Sequence, residues 1–342
     1  MNKFNSFCLE WSNTGSMNYA RHGHTASILL DGKVLVAGGQ DQQYKLNSTE
    51  LYDPSTGTWT ITSSMNVLRT RHTASVLTNG KVLVAGGSVG LEPNNAELYD
   101  PSTGIWTVTG RMFTIRSDHV ASVLPDGKVL VSGGSNILSS RLNSTELYDP
   151  STGTWAVTGN LNIRRIFHTS SVLSNGMVLI AGGSDGSNII ASSELYNPLT
   201  RTWTATGSMN ANRSSHTASV LANGHVLVTG GAREYSDMYS SELYDPLKGI
   251  WTFTSKRIFS TFTSSAACVL KNGRVLVTGG LDVYLNALND TEVYDSLTGT
   301  WTFAGSLNNA RSSHTMTVLL NGNVLVTGGV TRQAVLNSTE VY

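Results

Sequence analysis

The chain has 342 residues, 39% of them hydrophobic and 13% charged, with 23 basic and 23 acidic side chains. Zero formal net charge leaves no electrostatic footprint for nucleic acid or an anionic membrane, and no apolar run approaches the ~18 residues of a spanning helix. The charged fraction is about half that of an average soluble domain, so Thr, Ser and Asn must cover much of the surface.

Seven Gly-Gly pairs, beginning at Gly38, Gly86, Gly133, Gly182, Gly230, Gly279 and Gly328, recur at intervals of 48, 47, 49, 48, 49 and 49 residues. That period fits a repeat of one small four-stranded sheet. The repeat fills the chain without a linker or low-complexity stretch, so residues 1–342 are expected to be one domain.

The first predicted strand begins at a histidine, as in His72 to Leu77, and leads to an Asn-Gly or Asp-Gly pair in all seven units, which predicts a type I′ hairpin. The second strand is almost wholly aliphatic, as in Lys81 to Ala85, and runs into Gly-Gly; such a run suits a strand buried on both faces. A loop of variable content comes next, then a third strand marked Glu-x-Tyr, from Glu50 and Tyr52 to Glu340 and Tyr342. A turn such as Asp53-Pro54-Ser55-Thr56-Gly57 leads into a fourth strand carrying tryptophan: Trp11, Trp59, Trp106, Trp155, Trp203, Trp251 and Trp301.

The two ends are complementary. Trp11 stands 13 residues before His24, as Trp59 stands before His72, so the chain opens on a fourth strand; it stops at Tyr342, on a third. A ring in which the first segment completes the last sheet leaves no unpaired terminal edge. The expectation is an all-β, seven-bladed β-propeller.

Gly-Gly after an aliphatic strand, a tyrosine on the next strand and a tryptophan on the last together resemble the kelch repeat, over essentially the whole chain. The resemblance implies a kelch-type propeller and, most often, a protein- or peptide-binding module or scaffold; a recruiting domain of the kind kelch ligase receptors carry is not seen. It also implies that the loop leading into the first strand shares a face with the variable loop, and that arginines there engage acidic peptides. An alternative is an enzyme on the same propeller: copper radical oxidase-like (galactose oxidase-like), sialic acid epimerase-like or a nitrile-forming specifier. The oxidase chemistry needs a Cys-linked Tyr, a second Tyr and two His at the metal, and no such set is apparent. No phosphate loop, catalytic triad order or HExxH helix is present either. No cofactor, metal site or catalytic residue is assigned.

Six histidines, His24, His72, His119, His168, His216 and His314, hold one repeat position, with Ser265 in the seventh place. Symmetry-related positions point around a circle and not at one ion, so a structural role is expected. Six arginines, Arg21, Arg69, Arg116, Arg165, Arg213 and Arg311, each precede that position by three residues, with Phe262 in the remaining unit. They admit two readings: a guanidinium ring capturing carboxylates or phosphates of a partner, or pairs with a repeated acidic residue that fix the loop. Variable loops bearing Tyr44, Tyr235, Tyr239 and Tyr284 are the other candidate partner contacts. The unit containing Lys256, Arg257, Phe259 and Phe262 departs most from the pattern.

Cys8 and Cys268 make no disulfide framework, and Cys268 takes a position held elsewhere by Ser or Thr, so it reads as a small packed residue. Met1 to Glu10 lack the apolar core of a secretory signal, giving a cytoplasmic, monomeric chain as the expectation. Asn47, Asn143, Asn212, Asn289 and Asn337 start glycosylation sequons, which chance explains in a chain this rich in Asn, Ser and Thr.

Overall fold

A computed structural model describes residues 10–88, 94–136, 138, 140–232, 239–259 and 263–342. These form seven four-stranded antiparallel sheets in a closed ring, with no helix among them and so none able to cross a membrane. In the first blade the strands, named a to d outward, are Thr25–Ile28, Val34–Ala37, Thr49–Asp53 and Thr58–Thr62. The a strands of neighbouring blades touch all the way round, Thr25–Ile28 meeting Thr315–Val318, and therefore line the axis. The seventh blade is completed by the N-terminus: Ser12–Asn13 pairs antiparallel with Thr339–Val341, Ser12 opposite Val341 and Asn13 opposite Glu340.

The Asn-Gly hairpins differ from the type I′ expectation. Only the glycine has positive φ, as at Gly80 (φ 81°), and the Gly80 amide donates to the Leu77 carbonyl at 2.9 Å. The turn is therefore a type I turn over Thr78 and Asn79 with Gly80 in the left-handed bulge position. The Asn79 side chain accepts the Lys81 amide at 3.1 Å, and the equivalent bond forms in every blade, which explains the Asn or Asp there without a positive φ.

The hydrophobic core is divided among the seams between blades. Leu29, Leu35 and Ala37 of the first blade pack on Met65, Val82, Val84, Tyr99 and Trp106 of the second, and six further clusters repeat the scheme. All four residues of every b strand are buried, and each such Val or Leu contributes roughly 1.5–3 kcal/mol. Gly-Gly is required because the next blade arrives there. A Cβ on Gly38 (φ 61°) would lie 2.6 Å from the Arg69 carbonyl oxygen and 2.9 Å from His72 Cε1.

The repeated histidines are seam ties. His72 Nε2 shares a hydrogen bond with Thr25 Oγ1 of the preceding blade at 3.1 Å; His119 does so with Thr73, His216 with Thr169 and His314 with Thr278. At the closure seam His24 meets both Thr315 and Thr327, at 3.1 and 3.0 Å. His168 makes no such bond, and Val120 stands where most blades offer the threonine. Burial, reinforced by the neighbouring arginine, pushes His72 and His314 down to about 3 and lowers His24, His119 and His168 in the same direction.

These imidazoles are neutral in the fold and protonate freely once unfolded, so the unfolded chain binds more protons between the ordinary histidine value near 6.5 and about 3. Their stabilising effect is complete above that window and is lost as pH falls through it. The urea midpoint should fall steeply from about pH 6.5 toward pH 4, and His72→Gln should flatten the slope; a midpoint constant over that range would contradict the assignment.

Candidate functional site

The Arg-x-x-His segment leading into six of the seven a strands contains two kinds of residue. The arginine turns inward. Arg69 Nη1 donates to the carbonyls of Gly86 and Asn95 at 2.9 and 2.8 Å, and Nη2 donates to Glu97 Oε1 at 2.9 Å. The same carboxylate accepts the Asn66 and Val67 amides and the Asn66 side chain. Arg21–Glu50, Arg116–Glu146, Arg165–Glu194, Arg213–Glu242 and Arg311–Glu340 repeat the pair at 2.6–2.9 Å, every guanidinium fully buried. Burial lowers Arg21, Arg69, Arg116, Arg165 and Arg311, and the facing glutamate opposes the shift.

The expectation that Arg21, Arg69, Arg116, Arg165, Arg213 and Arg311 present a guanidinium ring to a partner therefore does not hold. The Nη groups are directed at the blade's own carbonyls, serine hydroxyls and carboxylate, and no water-facing surface remains. The loop-fixing reading is the one the geometry realises.

The same network explains four of the sequons. In Asn47-Ser48-Thr49-Glu50 the Asn side chain donates to the Met65 carbonyl, Ser48 accepts Arg21 through both its carbonyl and Oγ, and Glu50 takes the ion pair. Asn143, Asn289 and Asn337 occupy the equivalent place.

The residue immediately before the histidine turns outward, and it is the one that changes. Gly23, Arg71, Asp118, Phe167, Ser215, Ser264 and Ser313 all adopt left-handed φ of 52–61°. Amides pass hydrogen bonds between neighbours of this ring: Arg71 to Gly23, Asp118 to Arg71, Ser215 to Phe167 and Ser313 to Ser264, at 2.8–3.2 Å. Six of the seven are not glycine, at a cost of roughly 1–2 kcal/mol each, and such strain persists only where the surrounding structure over-determines the backbone.

Their side chains make the mouth of the channel asymmetric. Phe167 is half-exposed, while the Arg71 guanidinium reaches solvent and pairs with the nearly buried Asp118 at 3.8 Å. Asp118 also accepts the Ser117 hydroxyl at 3.1 Å; burial raises it, and Arg71, Ser117 and Arg141 oppose that shift. His22, on the same side, is lowered by burial and by the Arg71 charge. Blades five to seven offer only serine at the ring position.

Bridges such as His22 to Gln40, Thr70 to Ser88 and Ser117 to Ser135 tie this ring to the variable loops, so both lie on one face. The loops are held by side-chain turns. Asp41 accepts the Gln43 and Tyr44 amides at 2.7 Å, and Asp282 accepts the Tyr284 and Asn286 amides at 2.8 Å. Tyr44, Tyr239 and Tyr284 stand exposed on them; Tyr235 lies outside the described residues, as does Phe262. Cys268 is partly buried in a seam, and burial pushes its thiol up to about 12. No three His, Cys, Asp or Glu converge on a metal position among the described residues, and the repeated imidazoles face seams, so this donor set does not fit a copper centre.

The family profile described as the KLHDC2/KLHL20/DRC7 Kelch-repeats domain matches residues 71–256, more than half of the chain, and the Kelch motif matches residues 21–66 and 263–308. No curated protein sequence matches significantly. Among solved structures, a novel fungal alcohol oxidase of the AA5 family in complex with copper superposes with a TM-score of 0.81 at 18% identity, covering 97% of this chain and 76% of that one. That likeness is one of fold.

Two neighbouring arginines should separate framework from surface. Arg69→Ala strands the buried Glu97 carboxylate and should cost about 3–5 kcal/mol by urea denaturation. Arg71→Gly, whose φ suits glycine, should stay within about 1 kcal/mol of wild type. Equal losses would show that the ring residue also belongs to the framework.

Proposed function

The chain belongs to the kelch-repeat family, and we propose that it is a binding module whose protein or peptide partner docks on the loop face around the central channel. The observation that carries this reading is the left-handed ring, where backbone geometry is the same in seven blades while Gly, Arg, Asp, Phe and Ser alternate in the side chain. A framework that holds seven backbones alike and varies only the outward group is built for recognition.

Arg71, Asp118 and Arg141 form the polar part of the site. Asp118 sits behind the two cations as a positioning residue, leaving one positive charge in excess, and Lys45 adds another from the neighbouring loop, where its Nζ donates to Ser88 Oγ at 2.8 Å. An acidic group on the partner matches that balance and takes bidentate bonds from a guanidinium. Phe167 supplies an apolar anchor, and Tyr44, Tyr239 and Tyr284 extend the contact outward on preformed turns, which limits the ordering entropy of binding.

A displayed random-peptide library selected on the immobilised protein tests this directly. Enrichment of peptides with Asp, Glu or a free carboxylate is expected, with affinity lost about tenfold or more in Arg71→Ala and in Phe167→Ala, and weakened by salt. Enrichment that survives both substitutions in folded protein would place the site elsewhere.

A further inference from the structure

We propose that the propeller ring opens at the seam between its fifth and sixth blades, where Ser265 stands in the place of the imidazole found at the other six. The acceptors for that missing group are intact. Thr217 and Thr229 of the fifth blade correspond to Thr315 and Thr327, the pair that holds His24 at the closure seam. Here Thr229 Oγ1 accepts Ser241 Oγ at 2.9 Å instead, Thr217 Oγ1 turns to the Thr229 carbonyl, and Ser265 Oγ has no partner.

Three further ties are altered at the same seam. Tyrosine hydroxyls of c strands bond a threonine of the preceding blade at five seams, Tyr52–Thr14 and Tyr244–Thr206 among them, at 2.7–3.1 Å. Thr254, the corresponding residue facing Tyr294, is turned to the carbonyls of Ser241 and Ser255. The Trp301 indole N–H finds no acceptor, whereas Trp59, Trp155 and Trp251 donate to glycine carbonyls. Finally, the apolar plug contributed by Met65, Met112, Leu161, Met209 or Leu307 at other seams is replaced by Arg257.

The a strand Ala266–Val269 shows the result. None of its four residues is buried, whereas each of the other six a strands has a buried third residue. The break in the covalent chain lies elsewhere, inside the seventh blade between Ser12–Asn13 and Thr339–Val341, and the seam from that blade to the first has the doubly bonded His24. The ring is thus tied most firmly beside its chain termini, and it parts first at an internal seam where the chain runs through.

Native-state hydrogen exchange with peptide-level mass spectrometry is the test, on wild type and on Ser265→His. Amides of 266–269 should exchange about tenfold or more faster than those of the six equivalent strands, and Ser265→His should bring them close to the rest by bonding Thr217 or Thr229. In a Cys8→Ser background, thiol labelling of Cys268 in the same strand should slow in parallel. Equal protection of all seven a strands in wild type, or exchange unchanged in folded Ser265→His, would overturn the proposal; the wild-type comparison decides it even if the variant does not fold.

Discussion

A buried carboxylate at the centre of each blade is the constraint on which the rest of the structure depends. A glutamate on the c strand receives two loop amides and, in six blades, a guanidinium that itself closes on two carbonyls. Stripping water from such a pair is expensive, and only complete hydrogen bonding repays it. The repeated Asn-Ser-Thr-Glu segment is the sequence form of that bonding: Asn47 holds the loop carbonyl of Met65, Ser48 accepts Arg21, Thr49 donates to the Ser63 carbonyl and Glu50 takes the ion pair. Seven of the ten glutamates are consumed in this way, so the outer surface is poorer in charge than composition suggests. The loop face therefore presents hydroxyls, aromatic rings and a few placed charges.

Pinning the loop also fixes the start of the a strand. With the arginine carbonyl bonded to the second glycine of the preceding blade, as Arg69 is to Gly39 at 2.7 Å, the next two residues have little choice of path, and the one before the histidine is forced into the left-handed region. The side chain at that point is free of framework duty while its backbone is not. Strict recurrence and sequence variation are thus separated by one or two residues in the chain, one side chain buried in the blade and the other at the mouth of the channel.

Much of this was legible in the sequence. The period, the four strands, the blade count and the closure by complementary ends all rest on features that recur, because recurrence in a ring must satisfy the same geometry seven times. Direction is the property that spacing conceals. Nothing in Arg-x-x-His says which of the four residues faces inward, so the buried arginines and the outward Arg71, Asp118 and Phe167 could not be told apart by interval alone. One signal was available: the residue before the histidine is Gly, Arg, Asp and Phe in the first four copies while the arginine and histidine around it persist. The hairpin had a similar clue in Pro125, whose fixed φ suits the first central position of a type I turn, the geometry these hairpins adopt.

The sixth blade shows which part of the framework is obligatory. The sequence there lacks the recurring arginine, yet Glu292 is still paired, by Arg257 at 3.3 Å, and still accepts the Ile258 and Phe259 amides. Arg257 starts from the position that holds methionine or leucine in the other blades, and its guanidinium lies 5.3 Å from the Trp301 ring centre. Burial lowers this arginine and Glu292 opposes the shift, as a facing glutamate does for Arg21, Arg69, Arg116, Arg165 and Arg311. The cation has moved along the chain while the carboxylate has stayed. The fold therefore requires a paired glutamate at the heart of the blade and not an arginine at a given number. The apolar plug surrendered to supply that cation loosens the seam beside it, whereas an unpaired buried carboxylate would cost the blade itself.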